Sequence, residues 1–465
     1  MSYPSLPLIS KLPSELILLI FSWYAFSVAD APLNISSVCR AWLQLVRASP
    51  ELWARLSIHI QSPSDVDIPL DRKYLAEADA VRKATAWFER SGMVALDLRI
   101  TIRGASKPPT ITDLLTIPTQ PTPPLAIARR SPLASLFQIH QRRVRTLLIH
   151  APAECDIQPL IQPFHSLGPS EEEDPRQGTL QELELEVTDP LTTGLLPPGA
   201  DAPATPLPKI TPKSVSVRIT NLTIPSPWLN LESLTSLTVT QSVLAAPLFL
   251  SDIFALLGKS SAMKYLSIHA RIAESPTQSS LTPIHFLTLP HLHALHLSLN
   301  NTIDVLLALR TPQLSSLSIT DLDGRAPWTG RALKAFLTSR PPLKEVKLER
   351  LLGIEHGIWE WCLARLSMVE SLTLAYCERG EYVLAELSKQ TKVNKSGERK
   401  MEVCSALRTL SFRQCPGVYD TMLPWFHTIR PHLSMEIVDS SEIESEGDWE
   451  GWEGLDSRGW GVHLR

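Results

Sequence analysis

Apolar residues recur along this chain at two spacings, and each spacing dictates a different element. Three short helices fit residues 12 to 53. The first carries Leu16, Leu19, Ile20 and Trp23 at helical period, with Pro13 and Ser14 ahead as a helix start. Ile17, Leu18 and Phe21 widen that stripe until the helix is apolar nearly all round, which a helix tolerates only when it is covered on more than one side. For the second, Asp30 is the expected cap, Pro32 falls in the first turn, and Leu33, Val38 and Trp42 share a face. Beyond them Ser57-Ile58-His59-Ile60 alternates as a strand. Residues 71–91 read as a helix with Leu75, Ala78, Val81, Ala84 and Phe88 on one side, and Val94, Leu96, Leu98 and Ile100 alternate as a half-buried strand.

The second spacing is Leu-x-x-Leu-x-Leu. It occurs as Leu180/Leu183/Leu185, Leu234/Leu237/Val239, Met263/Leu266/Ile268, Leu292/Leu295/Leu297, Leu314/Leu317/Ile319, Leu343/Val346/Leu348, Val369/Leu372/Leu374 and Leu407/Leu410/Phe412, with weaker copies at Val144/Leu147/Ile149 and Val215/Val217. The middle positions 237, 266, 295, 317, 346, 372 and 410 are separated by 29, 29, 22, 29, 26 and 38 residues. That range brackets a leucine-rich repeat period of roughly 20–29, with an insertion in the longest gap. Leu-x-Leu puts two side chains on the inner face of a short strand, and one strand cannot bury them alone, so copies must stack. Helices fit between the strands at 248–257, 302–309, 330–337, 358–366 and 382–388.

The amino-terminal stretch resembles an F-box. Leu12-Pro13-x-Glu15-Leu16, Ile20-Phe21, Val38-Cys39-Arg40-x-Trp42 and Ser49-Pro50-x-Leu52-Trp53 stand in that family's order. The resemblance implies docking on the small adaptor subunit of a cullin-based SCF ubiquitin ligase. Carried over position by position, Leu12, Pro13, Leu16, Ile20, Val38, Cys39 and Trp42 form or support the adaptor-facing surface. Three residues after the last Leu, the repeat family usually places Asn or Cys; here that slot holds Asn300, Cys377 and Cys415. The run from Leu407 to Val418 is similar to the cysteine-type repeats of F-box leucine-rich proteins.

Composition narrows the classes. With 465 residues, 44% of them hydrophobic, the chain can bury a large core, and 44 basic against 48 acidic residues give no overall field for nucleic acid or anionic lipid. The 6 cysteines show no CxxC pair or finger spacing, which points to a reducing compartment, cytoplasmic or nuclear. Residues 16–29 have the length of a signal-peptide core, but Glu15 at the edge and a single lysine ahead fit poorly, and the run is too short to span a bilayer. His291, His293 and His296 have no acidic or cysteine ligand nearby, so no metal is expected, and no nucleotide, zinc-protease or nucleophile-elbow motif occurs.

The expected fold class is α/β: a small three-helix F-box over 1–60, a connecting region over 61–140, and an irregular leucine-rich-repeat solenoid over 141–438 with strands parallel and helices on the convex side. Proline-rich stretches lie at 104–125 and 190–212, an acidic loop at 171–174, and an acidic tail with Trp449, Trp452 and Trp460 over 439–465. No catalytic residue or cofactor is expected. The expected function is substrate recognition in an SCF-type ligase, with adaptor, cullin and an unidentified protein target as partners. The alternative is a scaffold that binds the adaptor without ubiquitin transfer. The candidate target-binding face is the strand face, at Arg218, Tyr265, His269, His296, Glu345, Lys347, Glu349 and Arg413.

Overall fold

In the computed structural model the described residues are 12–28, 30–61, 70–103, 132–161, 180–188, 215–222, 234–258, 260–273, 286–323, 326–393, 399–401 and 403–438. The expected proline-rich stretches, the acidic loop and the acidic tail lie outside them. The chain divides into two compact units, Met1–Tyr265 with Ala270–Ser275, and Leu266–His269 with Pro276–Arg465.

The first unit opens with helices α1 (Ser14–Ser27), α2 (Ala31–Ser36) and α3 (Arg40–Ala48) and a 3-10 turn at Pro50–Trp53. There follow β1 (Arg55–Gln61), α4 (Leu70–Arg90), β2 (Leu96–Arg103), α5 (Pro132–His140), β3 (Val144–Ala151) and α6 (Glu154–Ile161). Then come β4 (Glu182–Val187), β5 (Val215–Thr220), β6 (Leu234–Thr240), α7 (Leu250–Gly258) and β7 (Tyr265–Ala270), the last divided between the units. Strands β1 to β6 pair in sequence order, all parallel. Register sets Leu56, Leu98, Leu147, Leu183, Val217 and Leu237 side by side, and Ile58, Ile100, Ile149, Leu185, Ile219 and Val239 in the next row, all buried. The parallel ladder thus begins at β1, well ahead of the first Leu-x-x-Leu-x-Leu copy. Strict alternation in β1 and β2 supplies the same two inward positions without that spacing.

The second unit contains β8 (Leu287–Thr288), β9 (Ala294–Leu299), α8 (Thr302–Ala308), β10 (Leu309–Arg310), β11 (Ser316–Asp321), α9 (Ala326–Leu337) and β12 (Glu345–Glu349). It continues with α10 (His356–Leu363), β13 (Ser371–Ala375), α11 (Gly380–Ser388), β14 (Gln390–Val393), β15 (Arg399–Met401), β16 (Thr409–Arg413), α12 (Leu423–Ile429) and β17 (Ser434–Val438). Here β9, β11, β12, β13, β16 and β17 form the parallel run, aligning Leu295, Leu317, Val346, Leu372, Leu410 and Met435. The 38-residue gap in the pattern holds the antiparallel pair β14–β15. Buried Arg430 clamps its ends, donating to the carbonyls of Leu387 (2.9 Å), Val403 (2.6 Å) and Cys404 (3.2 Å). Among the described residues no helix is long and apolar enough to cross a membrane.

The turns after the strands share one device. Asn221, Arg350, Tyr376 and Gln414 each sit two residues past the second inward side chain with φ of 54°, 57°, 52° and 49°. Each N–H then reaches the carbonyl of the last residue of the following strand in the ladder, at 2.8 to 2.9 Å. The expected cysteine slot is filled as its chemistry demands: the thiols of Cys377 and Cys415 donate to the carbonyls of Leu348 and Leu374 at 3.4 Å, one repeat back. Two expectations for the second helix fail. Val38 and Trp42 do not share it with Leu33, because α2 ends at Ser36 and Trp42 stands on α3. Asp30 makes no side-chain cap on α2; its carboxylate instead takes Lys83 of α4 at 2.6 Å, because Lys83 is already fixed by the Ser57 carbonyl at 2.8 Å.

Asn221 serves two neighbours, donating to Val187 O at 3.1 Å and accepting from Ser242 N at 2.7 Å. Asn221→Ala loses both bonds and leaves a Cβ residue in the left-handed region, a cost of about 2–3 kcal/mol, and Asn221→Gly costs less. Urea unfolding midpoints of the two variants check both the size and the order.

Candidate docking surfaces

The amino-terminal helices have a small core. Ile17, Phe21, Ala31, Pro32, Ile35, Val46, Leu52 and Trp53 are buried, and Phe21 meets Trp42 edge-to-face at 4.8 Å. Trp53 donates from its indole to the Val46 carbonyl at 3.0 Å and packs edge-to-face on Trp87 of α4, also at 4.8 Å. Trp87 in turn donates to the Arg55 carbonyl at 2.7 Å, so α4 ties the helices to β1.

What that core leaves outside is unusual. Leu12, Leu16, Ile20 and Val38 are 37%, 47%, 49% and 60% exposed, and Pro13 and Cys39 are exposed as well. Trp42 is half-buried against Phe21, a support for the surface more than a part of it. Leu19, Trp23, Tyr24, Phe26 and Leu33 are also exposed, and sequence reasoning had not placed them on the surface. The sign of them was present in the all-round apolar character of α1, of which this chain buries only Ile17 and Phe21. A monomer does not normally leave so many large apolar side chains of one short segment in water; patches of this kind mark protein–protein or membrane contact sites or ligand grooves. Covering half of one such side chain is worth roughly 1 kcal/mol.

An F-box-like family model matches residues 9–59. The F-box-like domain therefore spans α1 to α3, the 50–53 turn and most of β1. No curated relative matches the sequence.

The strand face is a polar grid. In the first unit Arg218 is exposed and pairs with Glu184 at 3.4 Å, and Tyr265 is half-buried. His150 of β3 lies beside Glu184 and Glu186 of β4, ligand atoms within 4.8 Å of one another. Glu186 already holds the His150 ring and Glu184 the Arg218 guanidinium, so these carboxylates have protein partners. In the second unit His296, Lys347, Glu345 and Glu349 share the face of β9 and β12. Lys347 pairs with Glu349 at 3.1 Å, and Thr320 donates to Glu349 at 3.3 Å. Arg413 is exposed on β16. Burial pulls His269 below the usual imidazole range against the opposing pull of Glu349, and burial with Lys347 does the same for His296. Both rings are therefore neutral near pH 7.

The remaining thiols are unfit for nucleophilic work. Burial pushes Cys362, Cys377 and Cys404 up to about 12 and raises Cys415 too. Of the five cysteines whose side chains are described, Cys39, Cys362, Cys377, Cys404 and Cys415, the first alone is exposed.

Iodoacetamide on the native chain should therefore modify Cys39 far faster than Cys362, Cys377, Cys404 or Cys415, read by peptide mass spectrometry. A depressed histidine pKa contributes stability that is present above the unfolded value of 6.5 and lost as pH falls through the lower folded value. The thermal midpoint should drop between pH 7.5 and pH 5.5, and the drop should shrink in His269→Gln/His296→Gln.

Proposed function

We propose that this chain is the substrate-recognition subunit of an SCF-type cullin ubiquitin ligase, working in the cytoplasm or nucleus. The observation that carries the reading is the uncovered apolar surface of α1 and the α2–α3 junction inside the F-box-like match. F-box domains generally bind an adaptor subunit, and Leu12, Pro13, Leu16, Ile20, Val38 and Cys39, with Trp42 behind them, present a surface of that kind. Leu19, Trp23 and Leu33 enlarge it. The parallel strands and intervening helices fit a leucine-rich-repeat solenoid, whose strand face holds the target.

Such a receptor makes and breaks no bonds. Its work is proximity: holding a target beside a ubiquitin-charged partner raises the effective concentration of the target's lysines. The chemistry belongs to the other subunits, in keeping with buried, high-pKa thiols and charge-paired carboxylates here.

Leu16→Asp/Ile20→Asp should abolish co-purification of the adaptor while leaving the circular dichroism spectrum unchanged, since both side chains are half exposed. Trp42→Ala is the poorer probe, because its contact with Phe21 makes it part of the fold. Adaptor should also slow alkylation of Cys39. Adaptor bound without cullin would favour a scaffold over a ligase subunit, and undiminished adaptor binding by the double Asp variant would reject the assigned surface.

A further inference from the structure

Among the described residues the strand run of the second unit stops at β17, which pairs with β16 on one side and with no strand on the other. The N–H of Ser434 donates to the Arg408 carbonyl, and the Val438 carbonyl accepts from Gln414, so the even-numbered positions of β17 face β16. Successive residues of a strand turn their backbone groups to opposite edges, which leaves the N–H and C=O of Met435 and Ile437 on the open side. The side chains agree. At the inward positions of β13 and β16, Leu372, Leu374, Leu410 and Phe412 are at most 1% exposed, whereas Met435 and Ile437 are only half-buried. An end strand of such a ladder can be sealed: in the first unit Leu56 and Ile58 of β1 are 2% and 1% exposed. An open edge with half-wet aliphatic side chains is a template for one more strand.

The sequence that follows supplies one. Leu410 to Met435 and Phe412 to Ile437 are steps of 25 residues, and Val346 to Leu372 is one of 26. A further step of 25 lands on Trp460 and Val462, in the stretch Trp460-Gly461-Val462-His463-Leu464-Arg465, whose apolar residues alternate as a strand requires. No other stretch of 439–465 alternates in this way. Between the two lie seven carboxylates from Glu442 to Asp456, the polar outer surface that the last unit of a stack needs. A second copy of the chain is the competing occupant of the edge. It fits less well, because a two-fold pairing centred on β17 sets Glu436 against its own copy.

We propose that residues 460–464 dock on the open edge of β17 as a further parallel strand, Trp460 beside Met435 and Val462 beside Ile437. Residues 439–459 then carry the chain across. The adaptor surface on α1 plays no part in this.

The test is hydrogen–deuterium exchange on the full-length chain, read by mass spectrometry at a concentration where light scattering gives a monomer. Amides of 434–438 and 460–464 should both exchange slowly. Trp460→Asp/Val462→Asp should speed both by at least about tenfold and leave 371–375, two strands away, as it was. Trp460→Phe/Val462→Ile, which keeps the side chains apolar, should keep the protection. Fast exchange at 460–464 in the native chain overturns the proposal. So does a β17 whose protection ignores the Asp pair, because 460–464 then packs somewhere else. Protection of these amides in a dimer alone gives the edge to a second copy and overturns the intrachain strand.

Discussion

No strand of this chain can bury its own pair of inward aliphatic side chains. Everything else follows from that constraint. Parallel neighbours are the solution, since a strand, a crossover helix and the next strand return the chain in the same direction with the same two positions facing in. Leu56, Leu98 and Leu147 in one unit, and Leu317, Val346 and Leu372 in the other, are in register because a slip of one residue would turn every such side chain to water. Left-handed residues such as Asn221 and Gln414 let the chain leave each strand while still donating to the next one. Cys377 and Cys415 then donate to the Leu348 and Leu374 carbonyls one repeat back, tying each turn to the strand before it.

A stack built this way has ends, and the amino end is where the F-box-like domain attaches. Trp53, Trp87 and the Lys83–Asp30 pair join that domain to α4 and β1 through one indole–indole contact and a few hydrogen bonds to the backbone. The join uses one side of the helices. The other side, with Leu16, Ile20, Trp23 and Val38, stays in water, and the physics that drives repeats together favours covering it.

The strand face obeys the opposite rule. Its side chains are short and polar or charge-paired, as at Arg218–Glu184 and Lys347–Glu349, so most of it is content in water.

From the sequence alone came the inward positions, the strands they define, the helices between them other than α5, α6 and α12, the insertion before Leu407 and the apolar excess of the first helix. Local spacing encodes these, and burial of period-2 and period-3.6 side chains leaves little choice. The sequence also singled out the slot that Cys377 and Cys415 occupy. Only the tertiary structure decided which side of α1 would be left in water, since an all-round apolar helix carries no directional signal. It also decided that Asp30 would serve Lys83 and not its own helix, and that Arg430 would hold the ends of the β14–β15 insertion. Those partners lie tens of residues apart in the chain, and no short-range pattern records a contact that exists only once the repeats have stacked.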